Sequence, residues 1–248
     1  MVLSQPPKAF CQNWTQVRAK RIKVKSNVKI SVLIPAYNEE AFIYDTVKAV
    51  GFLPEDKEIL VIDDCSTDHT ATQAQAAGAK IISLPYNMGK GEALNQGAKK
   101  ITGDIVLLLD ADLGPSAGQA KHLLWPVING EADLTIARFP PARQKGGFGF
   151  VKGLARMGIR YYTGILAEAP LSGQRAMRRA VFLKILPFAS HFGVEVNMTI
   201  KAARLGFRVC EVPVQMRHKE TGRNLKGFIH RSRQFYDVLK VLALAWRA

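Results

Sequence analysis

The sequence of 248 residues has few cysteines and no long apolar segment. Its three cysteines are odd in number, widely spaced and form no Cys-x-x-Cys pair, which excludes a disulfide framework and a zinc site of the usual spacing. No stretch approaches the roughly 18 consecutive apolar residues of a membrane span, and the first residues lack the apolar core of a signal peptide. We therefore expect a cytoplasmic protein with reduced cysteines.

Acidic residues are also scarce, and they are unevenly distributed. The chain has 20 Asp and Glu against 35 Lys and Arg, a formal net charge of +15. Residues 1–29 carry seven bases and no acid, residues 30–112 carry 13 acids against six bases, and residues 113–248 carry 22 bases against seven acids. The acidic part suits a metal, whereas the basic part suits an anionic second substrate, an acidic membrane surface or simply a solvated face. Because no zinc-finger spacing, RNP-type aromatic motif or leucine heptad accompanies the bases, we expect no nucleic-acid partner.

Short apolar runs alternate with helical patterns along the first half of the chain. The predicted strands are 29–34, 58–62, 80–84, 105–109 and 132–137, and the predicted helices are 40–50, 67–77, 90–100 and 119–128. This alternation predicts an α/β fold with a mostly parallel, Rossmann-like sheet and helices on both faces. Prolines and glycines within 140–150 predict a mobile loop placed as a substrate lid. A further strand is predicted over 209–214.

Two carboxylates follow the most apolar of these runs. Asp110 and Asp112 come directly after Ile105–Leu109, where an α/β sheet binds its ligands, and two closely spaced acids there can hold a divalent metal. A turn or a helix cap is the structural alternative, because Asp is common where strands end. Polar residues also follow two earlier strands, over 35–40 and 63–68, and in a parallel sheet all three groups converge on one edge.

Ordered motifs in the chain resemble those of family 2 GT-A glycosyltransferases. They are Val32–Glu40, Val61–Asp68, Asn87–Gly91 and Asp110–Asp112, with Leu171–Gln174, Phe192–Glu195 and Met216–His218 downstream. Within the family, the chain is similar to glucosyl-3-phosphoglycerate synthases and to polyprenyl-phosphate sugar transferases. The resemblance implies a GT-A fold with a basic N-terminal arm (1–28), a nucleotide-sugar-binding part (29–138) and an acceptor-binding part with a C-terminal helix (139–248).

The resemblance also implies a metal-dependent transfer from a nucleotide sugar, expected to be a UDP-sugar. The donor-binding residues it implies are Pro35, Ala36 and Tyr37 beside the base, Glu39 near the ribose, Asp64 at the base N–H, Lys90 at the diphosphate or sugar, and Asp110 at the ribose or a metal-bound water. Asp112 and His218 would hold Mg²⁺ or Mn²⁺, which stabilises the leaving diphosphate. An exposed lysine at a helix start and a structural histidine are the alternatives for Lys90 and His218.

The same resemblance makes Glu195 the candidate catalytic carboxylate. In inverting relatives such a group takes the acceptor proton, whereas in phosphoglycerate-type relatives it holds the sugar. A glutamate favoured by the helix dipole is the structural alternative. Gly173, Arg217 and Arg223 are the expected acceptor-binding residues. Arg175, Arg178 and Arg179 add positive charge that suits a phosphorylated acceptor like 3-phosphoglycerate.

Two other functions remain open from the sequence. A polyprenyl-phosphate glycosyltransferase would use the basic arm and residues 235–246 for peripheral contact with the cytoplasmic membrane face, although that tail also suits a homodimer or core packing. A sugar nucleotidyltransferase should have a Gly-rich loop after its first strand, and Pro35-Ala36-Tyr37-Asn38 does not supply one.

Overall fold

A computed structural model describes residues 10–11, 28–140, 149–188 and 193–217, with positions 236, 239–240 and 242–243 near the C-terminus. The strands are β1 (Phe10–Cys11), β2 (Lys29–Ala36), β3 (Asp56–Asp63), β4 (Lys80–Ser83), β5 (Ile105–Leu108), β6 (Leu134–Arg138), β7 (Arg175–Arg178) and β8 (Val209–Pro213). The helices are α1 (Ile43–Gly51), α2 (Thr70–Ala76), α3 (Lys90–Ala98), a 3-10 segment (Ala111–Ala120), α4 (Lys121–Ile128), α5 (Phe150–Thr163), α6 (Arg179–Lys184) and α7 (Val194–Arg204).

The strands form one sheet in the order β1-β8-β6-β7-β5-β2-β3-β4. Every pairing is parallel except those of β7, which runs antiparallel to both β5 and β6. Successive residues of β2 enter different cores, because Val32 and Ile34 pack on one face of the sheet and Leu33 on the other. Burial on both faces explains the unbroken apolar runs of the central strands. The predicted α/β fold with a mostly parallel sheet is confirmed.

Three elements of the second half of the chain were not predicted, namely β7, α5 and the six-residue helix α6. The strand β7 has the sequence Arg-Ala-Met-Arg and carries no apolar run, because its neighbours supply most of the core around Ala176 and Met177. The helix α5 follows Gly149, whose φ of 70° lies in the left-handed region that glycine adopts without strain. The predicted mobile loop over 140–150 falls largely on residues 141–148, which lie outside the described residues.

Several helix boundaries differ from the predicted ones. The helices α1 and α2 begin at Ile43 and Thr70, three residues later than predicted. The residues before them form hydrogen bonds between the loop after β2 and the loop after β3. Asp68 accepts hydrogen bonds from the backbone N–H groups of Glu40 and Thr70, at 3.2 and 2.9 Å. The predicted helix start at Gln119 is also wrong, since this residue belongs to the 3-10 segment and α4 begins at Lys121.

The amino edge of the sheet, opposite the predicted ligand edge, is held by a buried carboxylate. Glu58 Oε1 accepts hydrogen bonds from Ser31 Oγ at 2.6 Å and from Thr102 N at 2.6 Å. Burial alone would raise the pKa of this carboxyl, but the hydrogen bonds from Ser31 and Thr102 outweigh it and lower the pKa below the ordinary 4.5. Glu58 therefore joins β2, β3 and the turn before β5 as an anion.

The change Glu58→Gln is expected to lower the free energy of unfolding by about 1–2 kcal/mol at neutral pH, because hydrogen bonds to a charged acceptor become bonds to a neutral one. A lowered folded-state pKa stabilises the protein above the ordinary value near 4.5, and this contribution is lost as the pH falls through the folded-state pKa. Urea unfolding at a series of pH values measures the difference. The exposed Asp56→Asn on the same strand is the matched control, and a pH-independent effect of Glu58→Gln would contradict the assignment.

Leu242, near the C-terminus, packs on α5. Tyr162 donates its hydroxyl hydrogen to the backbone carbonyl of Leu242 at 2.7 Å, and the side chain of Leu242 covers Gly158. A Cβ at Gly158 would lie 2.3 Å from a Leu242 methyl carbon, so the absence of a side chain permits this close packing. The division of the chain at residue 138 stays a prediction.

Candidate active site

The carboxyl edge of the sheet brings together the polar groups that follow different strands. The strands β2, β3 and β5 end at this edge, and the antiparallel β7 begins there because Arg175 pairs with Leu108. The turn before α3, the residues after β5 and the loop before β7 therefore meet. The convergence predicted from the sequence is confirmed.

A lysine lies between two carboxylates at the centre of this edge. Lys90 Nζ is 2.6 Å from Asp110 Oδ1 and 2.8 Å from Glu195 Oε1. Burial alone would lower the pKa of Lys90, but the two negative charges outweigh it and raise the pKa above its ordinary value. Lys90 is therefore a fixed cation. Lys90 and Glu195 are 105 positions apart in the sequence, so no local pattern could have identified their contact.

The second oxygen of Asp110 is held from the loop before β7. Gln174 is fully buried, and its Nε2 donates to Asp110 Oδ2 at 2.5 Å, while Ser172 Oγ donates to Gln174 Oε1 at 3.2 Å. Gly173 lies against the ion pair itself, since a Cβ there would be 2.5 Å from Lys90 Nζ and 2.8 Å from both Asp110 oxygens. Gly173, predicted as an acceptor-binding residue, thus contacts the donor-side carboxylate and its lysine.

The change Gly173→Ala is expected to lower turnover by about 10- to 100-fold, because an added methyl group must displace Lys90 or Asp110 and small displacements at a reacting centre are costly. Steady-state release of nucleoside diphosphate measures the effect. Gly51→Ala at the end of α1 is the matched control, since a Cβ there meets nothing within 4 Å. Equal activity of the two variants would contradict a tight contact at Gly173.

Asp64 holds the turn that carries Lys90. Its two carboxylate oxygens accept hydrogen bonds from the backbone N–H groups of Met88 at 2.7 Å and Gly89 at 2.8 Å. Gly89 has a φ of 81°, so this turn requires the left-handed region that favours glycine. Each carboxylate oxygen can accept a second bond, which leaves the predicted contact with a base N–H chemically available.

The loop after β2 forms the outer wall of the same edge. Pro35 and Ala36 end the strand, and the carbonyl of Ala36 accepts a hydrogen bond from Asp64 N at 2.9 Å. Tyr37 is 47% exposed beside them, as a residue that stacks on a ligand must be. The backbone N–H of Glu39 donates to Thr70 Oγ1 at 2.8 Å, which fixes this loop against the start of α2.

A buried hydroxyl, not predicted from the sequence, orients the segment of Asp112. Thr46 on α1 is fully buried and donates to the carbonyl of Ala111 at 2.8 Å, and it accepts from the backbone N–H of Gly114 at 2.8 Å. These bonds hold the backbone on both sides of Asp112, whose φ of −94° and ψ of 15° are not helical. Asp112 is half-buried and lies two residues after Asp110, a member of the Lys90 cluster (Lys90, Asp110 and Glu195).

The donor set at this edge fits a divalent cation that is shared with a ligand. Among the residues that the structure describes, no three His, Cys, Asp or Glu side chains come together as a complete cage. Carboxylate oxygens are the ligands that Mg²⁺ and Mn²⁺ prefer, and Mg²⁺ is commonly bound by one or two carboxylates together with substrate phosphates. The chemistry of Asp112 therefore fits such an ion.

Two predicted site residues, His218 and Arg223, lie outside the described residues. Arg217, which directly precedes His218 in the sequence, is exposed, and its backbone N–H donates to Ser116 Oγ at 3.1 Å. Ser116 lies in the 3-10 segment that begins after Asp110, so the chain after β8 runs beside the segment of Asp112.

Arg175, Arg178 and Arg179 do not form the expected basic surface for an anionic acceptor. Arg175 is fully buried, and Arg178 is 2.6 Å from Asp133 at the opposite edge of the sheet. Arg179, the first residue of α6, donates its backbone N–H to the carbonyl of Asp104, also at that opposite edge. The expectation was wrong for Arg178 and Arg179 because the antiparallel strand carries them away from the carboxyl edge, and for Arg175 because its side chain is buried.

A cavity of about 920 Å³ opens beside the cluster, with basic residues that the sequence did not single out. It lies between α5, the loop before β7 and the ends of β6 and β8, and its basic lining residues are Arg138, Lys152 and Arg156. Arg138 is 2.8 Å from Glu168, which leaves a net positive lining. Lys152 and Arg156 are one turn apart on α5, a spacing that would have indicated the cavity had this helix been predicted.

Within the described ranges, no helix is both long and apolar enough to cross a lipid bilayer.

Comparison with known proteins identifies the fold and its relatives. Residues 31–186 match the model of glycosyl transferase family 2. The glucosyl-3-phosphoglycerate synthase of Mycobacterium tuberculosis is 33% identical over 200 residues, which are 71% of this chain and 61% of that enzyme. An undecaprenyl-phosphate 4-deoxy-4-formamido-L-arabinose transferase of Enterobacter is 27% identical over 231 residues, covering 89% of this chain and 69% of the relative.

Solved structures of one of these relatives also match the fold of this chain. The M. tuberculosis glucosyl-3-phosphoglycerate synthase in complex with Mn²⁺, uridine diphosphate and phosphoglyceric acid matches with a TM-score of 0.75 and 29% identity over 89% of this chain and 79% of that one. The same enzyme has also been solved with Mg²⁺ and uridine diphosphate, and matches with a TM-score of 0.73, 29% identity, 89% of this chain and 80% of that one. Since the family model covers well over half of the chain and the GT-A relatives share its fold, the protein belongs to glycosyl transferase family 2.

Proposed function

We propose that the protein transfers a sugar from a UDP-sugar to a phosphorylated small acceptor resembling 3-phosphoglycerate. The observation that carries the proposal is the position of Lys90 between Asp110 and Glu195 at the carboxyl edge of the sheet. The relative that holds Mn²⁺, uridine diphosphate and phosphoglyceric acid together has the same fold, which supports this choice of donor and acceptor.

The donor would lie across the loops after β2, β3 and β5. Its base stacks on the exposed Tyr37 beside Pro35 and Ala36, and Asp64 accepts the base N–H through a remaining lone pair. The ribose hydroxyls would donate to the carboxylates of Glu39 and Asp110.

A divalent cation would complete the donor site. Asp112 would hold Mg²⁺ or Mn²⁺, with His218 as the second protein ligand, and the ion would supply positive charge at the leaving diphosphate. Thr46 keeps the segment of Asp112 in place. Lys90 contributes a second fixed positive charge next to the sugar.

Glu195 acts on the sugar or on the acceptor. With inversion, its carboxylate takes the proton of the acceptor hydroxyl, and with retention, it holds the sugar as the new bond forms on the same face. Its side chain is 12% exposed and bound to Lys90, which keeps bulk water away from the carboxylate while leaving one oxygen without a contact to that lysine.

The acceptor's phosphate would enter the cavity lined by Arg138, Lys152 and Arg156, where guanidinium groups bind phosphate through paired hydrogen bonds. Ser172 lines this cavity and donates to Gln174, which links the cavity to Asp110. The predicted acceptor residues Gly173, Arg217 and Arg223 remain part of this proposal.

A lipid phosphate is the second candidate acceptor, and the exposed face of α5 favours it. Phe150, Met157 and Tyr161 are 72%, 65% and 66% exposed along one stripe of this helix, and Arg156 and Arg160 flank the stripe. Aromatic and apolar side chains beside arginines are typical of a helix that lies in an anionic membrane surface. The relative that acts on undecaprenyl phosphate supports this alternative.

The setting of the enzyme is also part of the proposal. Cys65 is a free thiol, which supports a reducing, cytoplasmic location. The α5 stripe would touch the inner membrane face in the lipid case, and it would pack against a second copy in a homodimer.

Release of nucleoside diphosphate from a panel of UDP- and GDP-sugars tests the proposal. We expect release with Mn²⁺ or Mg²⁺ and a UDP-sugar, and we expect 3-phosphoglycerate to increase it more than a short polyprenyl phosphate does. Paired changes Lys152→Ala and Arg156→Ala should raise the KM for phosphoglycerate and leave that for the donor. Stimulation by the lipid phosphate alone would favour the second candidate, and no release under any condition would contradict both.

A further inference from the structure

A buried arginine lies directly behind the Lys90 cluster. Arg175 opens β7 and has no exposed surface. Its Nε donates to the carbonyl of Ser172 at 3.0 Å, and its Nη1 donates to Thr199 Oγ1 at 3.0 Å. Within the described residues, Nη2 has no hydrogen-bond partner. A buried guanidinium lowers the stability of the fold, because its charge loses contact with water. An apolar side chain of similar size would avoid this desolvation.

One arm of the guanidinium fixes the loop that contacts Asp110. Ser172, whose carbonyl accepts from Nε, is followed by Gly173 and Gln174. Gly173 packs on Lys90 and Asp110, and Gln174 donates to Asp110. Movement of this loop would therefore move the carboxylate of Asp110.

The other arm fixes the first turn of α7. Thr199 accepts from Nη1 and donates its own hydroxyl hydrogen to the carbonyl of Glu195 at 2.9 Å. The carbonyl belongs to the residue whose side chain binds Lys90. A single guanidinium thus connects the two walls between which Lys90 lies.

The charge of Arg175 also balances the site. Burial lowers its pKa to about 10, and the negative charges of Glu195, Glu211 and Asp110 oppose that effect. The group therefore stays positive at neutral pH. Arg175 and Lys90 thus place two positive charges beside the side chains of Asp110 and Glu195.

We propose that Arg175 is a positioning residue that sets the distance between the Asp110 wall and the Glu195 wall of the active site. It contacts no substrate in this arrangement and acts through Ser172 and Thr199. The inference rests on the proposed function, since it assigns Arg175 a role in the rate of sugar transfer.

The test uses variants that cut each arm. Arg175→Met removes both arms with similar side-chain length, Arg175→Lys keeps the charge without the fork, and Thr199→Val removes one link while keeping the shape. We expect kcat to fall about 100-fold for Arg175→Met and about 10-fold for Thr199→Val, with affinity for uridine diphosphate and Mn²⁺ within about threefold of wild type. Arg175→Lys should recover part of the loss.

Thr135→Val is the matched control. Thr135 is also fully buried and donates its one hydroxyl hydrogen to the carbonyl of Leu123 at 2.8 Å or of Ala176 at 3.2 Å, and neither bond involves Ser172, Thr199 or a side chain of the Lys90 cluster. We expect a similar loss of stability for Thr135→Val and Thr199→Val, with kcat reduced only in the latter. Because the two changes at Arg175 and Thr199 cut one connection, the double variant should be no slower than Arg175→Met alone.

A readout that needs no turnover separates the inference from the proposed function. Hydrogen exchange at 172–174 and 194–199 should speed up in Thr199→Val and Arg175→Lys and stay unchanged in Thr135→Val. Faster exchange without transferase activity in the wild type would contradict the proposed function while keeping the connection. Wild-type kcat and exchange in Thr199→Val would overturn the inference, even if Arg175→Met fails to fold.

Discussion

Replacement of Asp112 by asparagine is expected to lower turnover by about a thousandfold and to leave the fold intact. Asparagine keeps the shape of the side chain, and the bonds of Thr46 to Ala111 and Gly114 use backbone groups that do not change. A metal ion contributes several kcal/mol of charge stabilisation at a leaving group, and each 1.4 kcal/mol is about a tenfold change in rate. The loss of one anionic ligand should therefore dominate.

Titration with Mn²⁺ in the presence of uridine diphosphate measures the same change without turnover. We expect weaker Mn²⁺ binding in Asp112→Asn and partial recovery of activity at high Mn²⁺ concentration. Asp104→Asn, at the opposite end of the strand β5, is the matched control and should leave both quantities unchanged. Unchanged Mn²⁺ affinity with unchanged turnover would contradict a metal site at Asp112.

The change Glu195→Gln is expected to lower kcat by about 100- to 10,000-fold, the range of a lost acid–base group, with little effect on affinity for uridine diphosphate. The amide has nearly the same size, and Lys90 keeps its contact with Asp110 at 2.6 Å. Single-turnover kinetics at saturating donor and acceptor would isolate the chemical step from binding.

A comparison between two helices separates this role from a favourable position at a helix start. Glu92 occupies the first turn of α3 as Glu195 occupies that of α7, and it bonds to Gln96 at 2.6 Å on its own helix. Glu92→Gln should leave kcat within about twofold of wild type. Equal effects of the two changes would indicate that Glu195 acts through helix stability alone.

The first half of the fold followed from the sequence because its signals are local. The apolar strand before Asp110 and Asp112 can be predicted from adjacent residues alone. The parallel order of the strands then places their carboxyl ends at one edge of the sheet. The strand β7 could not be predicted from its sequence, since Arg175–Arg178 contains only two apolar residues. Its burial comes from the neighbouring strands β5 and β6. Its antiparallel direction then changed the position of Arg178, which lies at the opposite edge from the site.

The sequence singled out individual residues of the site but not the contacts between them. Lys90, Asp110 and Glu195 were each singled out, yet their mutual ion pairs depend on how α3, β5 and α7 pack. Thr46 had no signal in the sequence, and Gln174 lay in a motif of the resemblance without an assigned role, because a buried hydroxyl or amide acquires its role only from the groups around it.

The central proposal for this protein is sugar transfer at the Lys90 cluster to a phosphorylated acceptor. The most direct test incubates the protein with UDP-glucose labelled with ¹³C at the anomeric carbon, 3-phosphoglycerate and Mn²⁺, and follows the labelled carbon by NMR. We predict a new glycoside signal that requires both the acceptor and the metal, is lost in Glu195→Gln, and reports by its coupling whether configuration is retained or inverted. Two results would contradict the proposed transfer. One is consumption of UDP-glucose that is the same with and without 3-phosphoglycerate, and the other is a glycoside that Glu195→Gln forms as fast as the wild type.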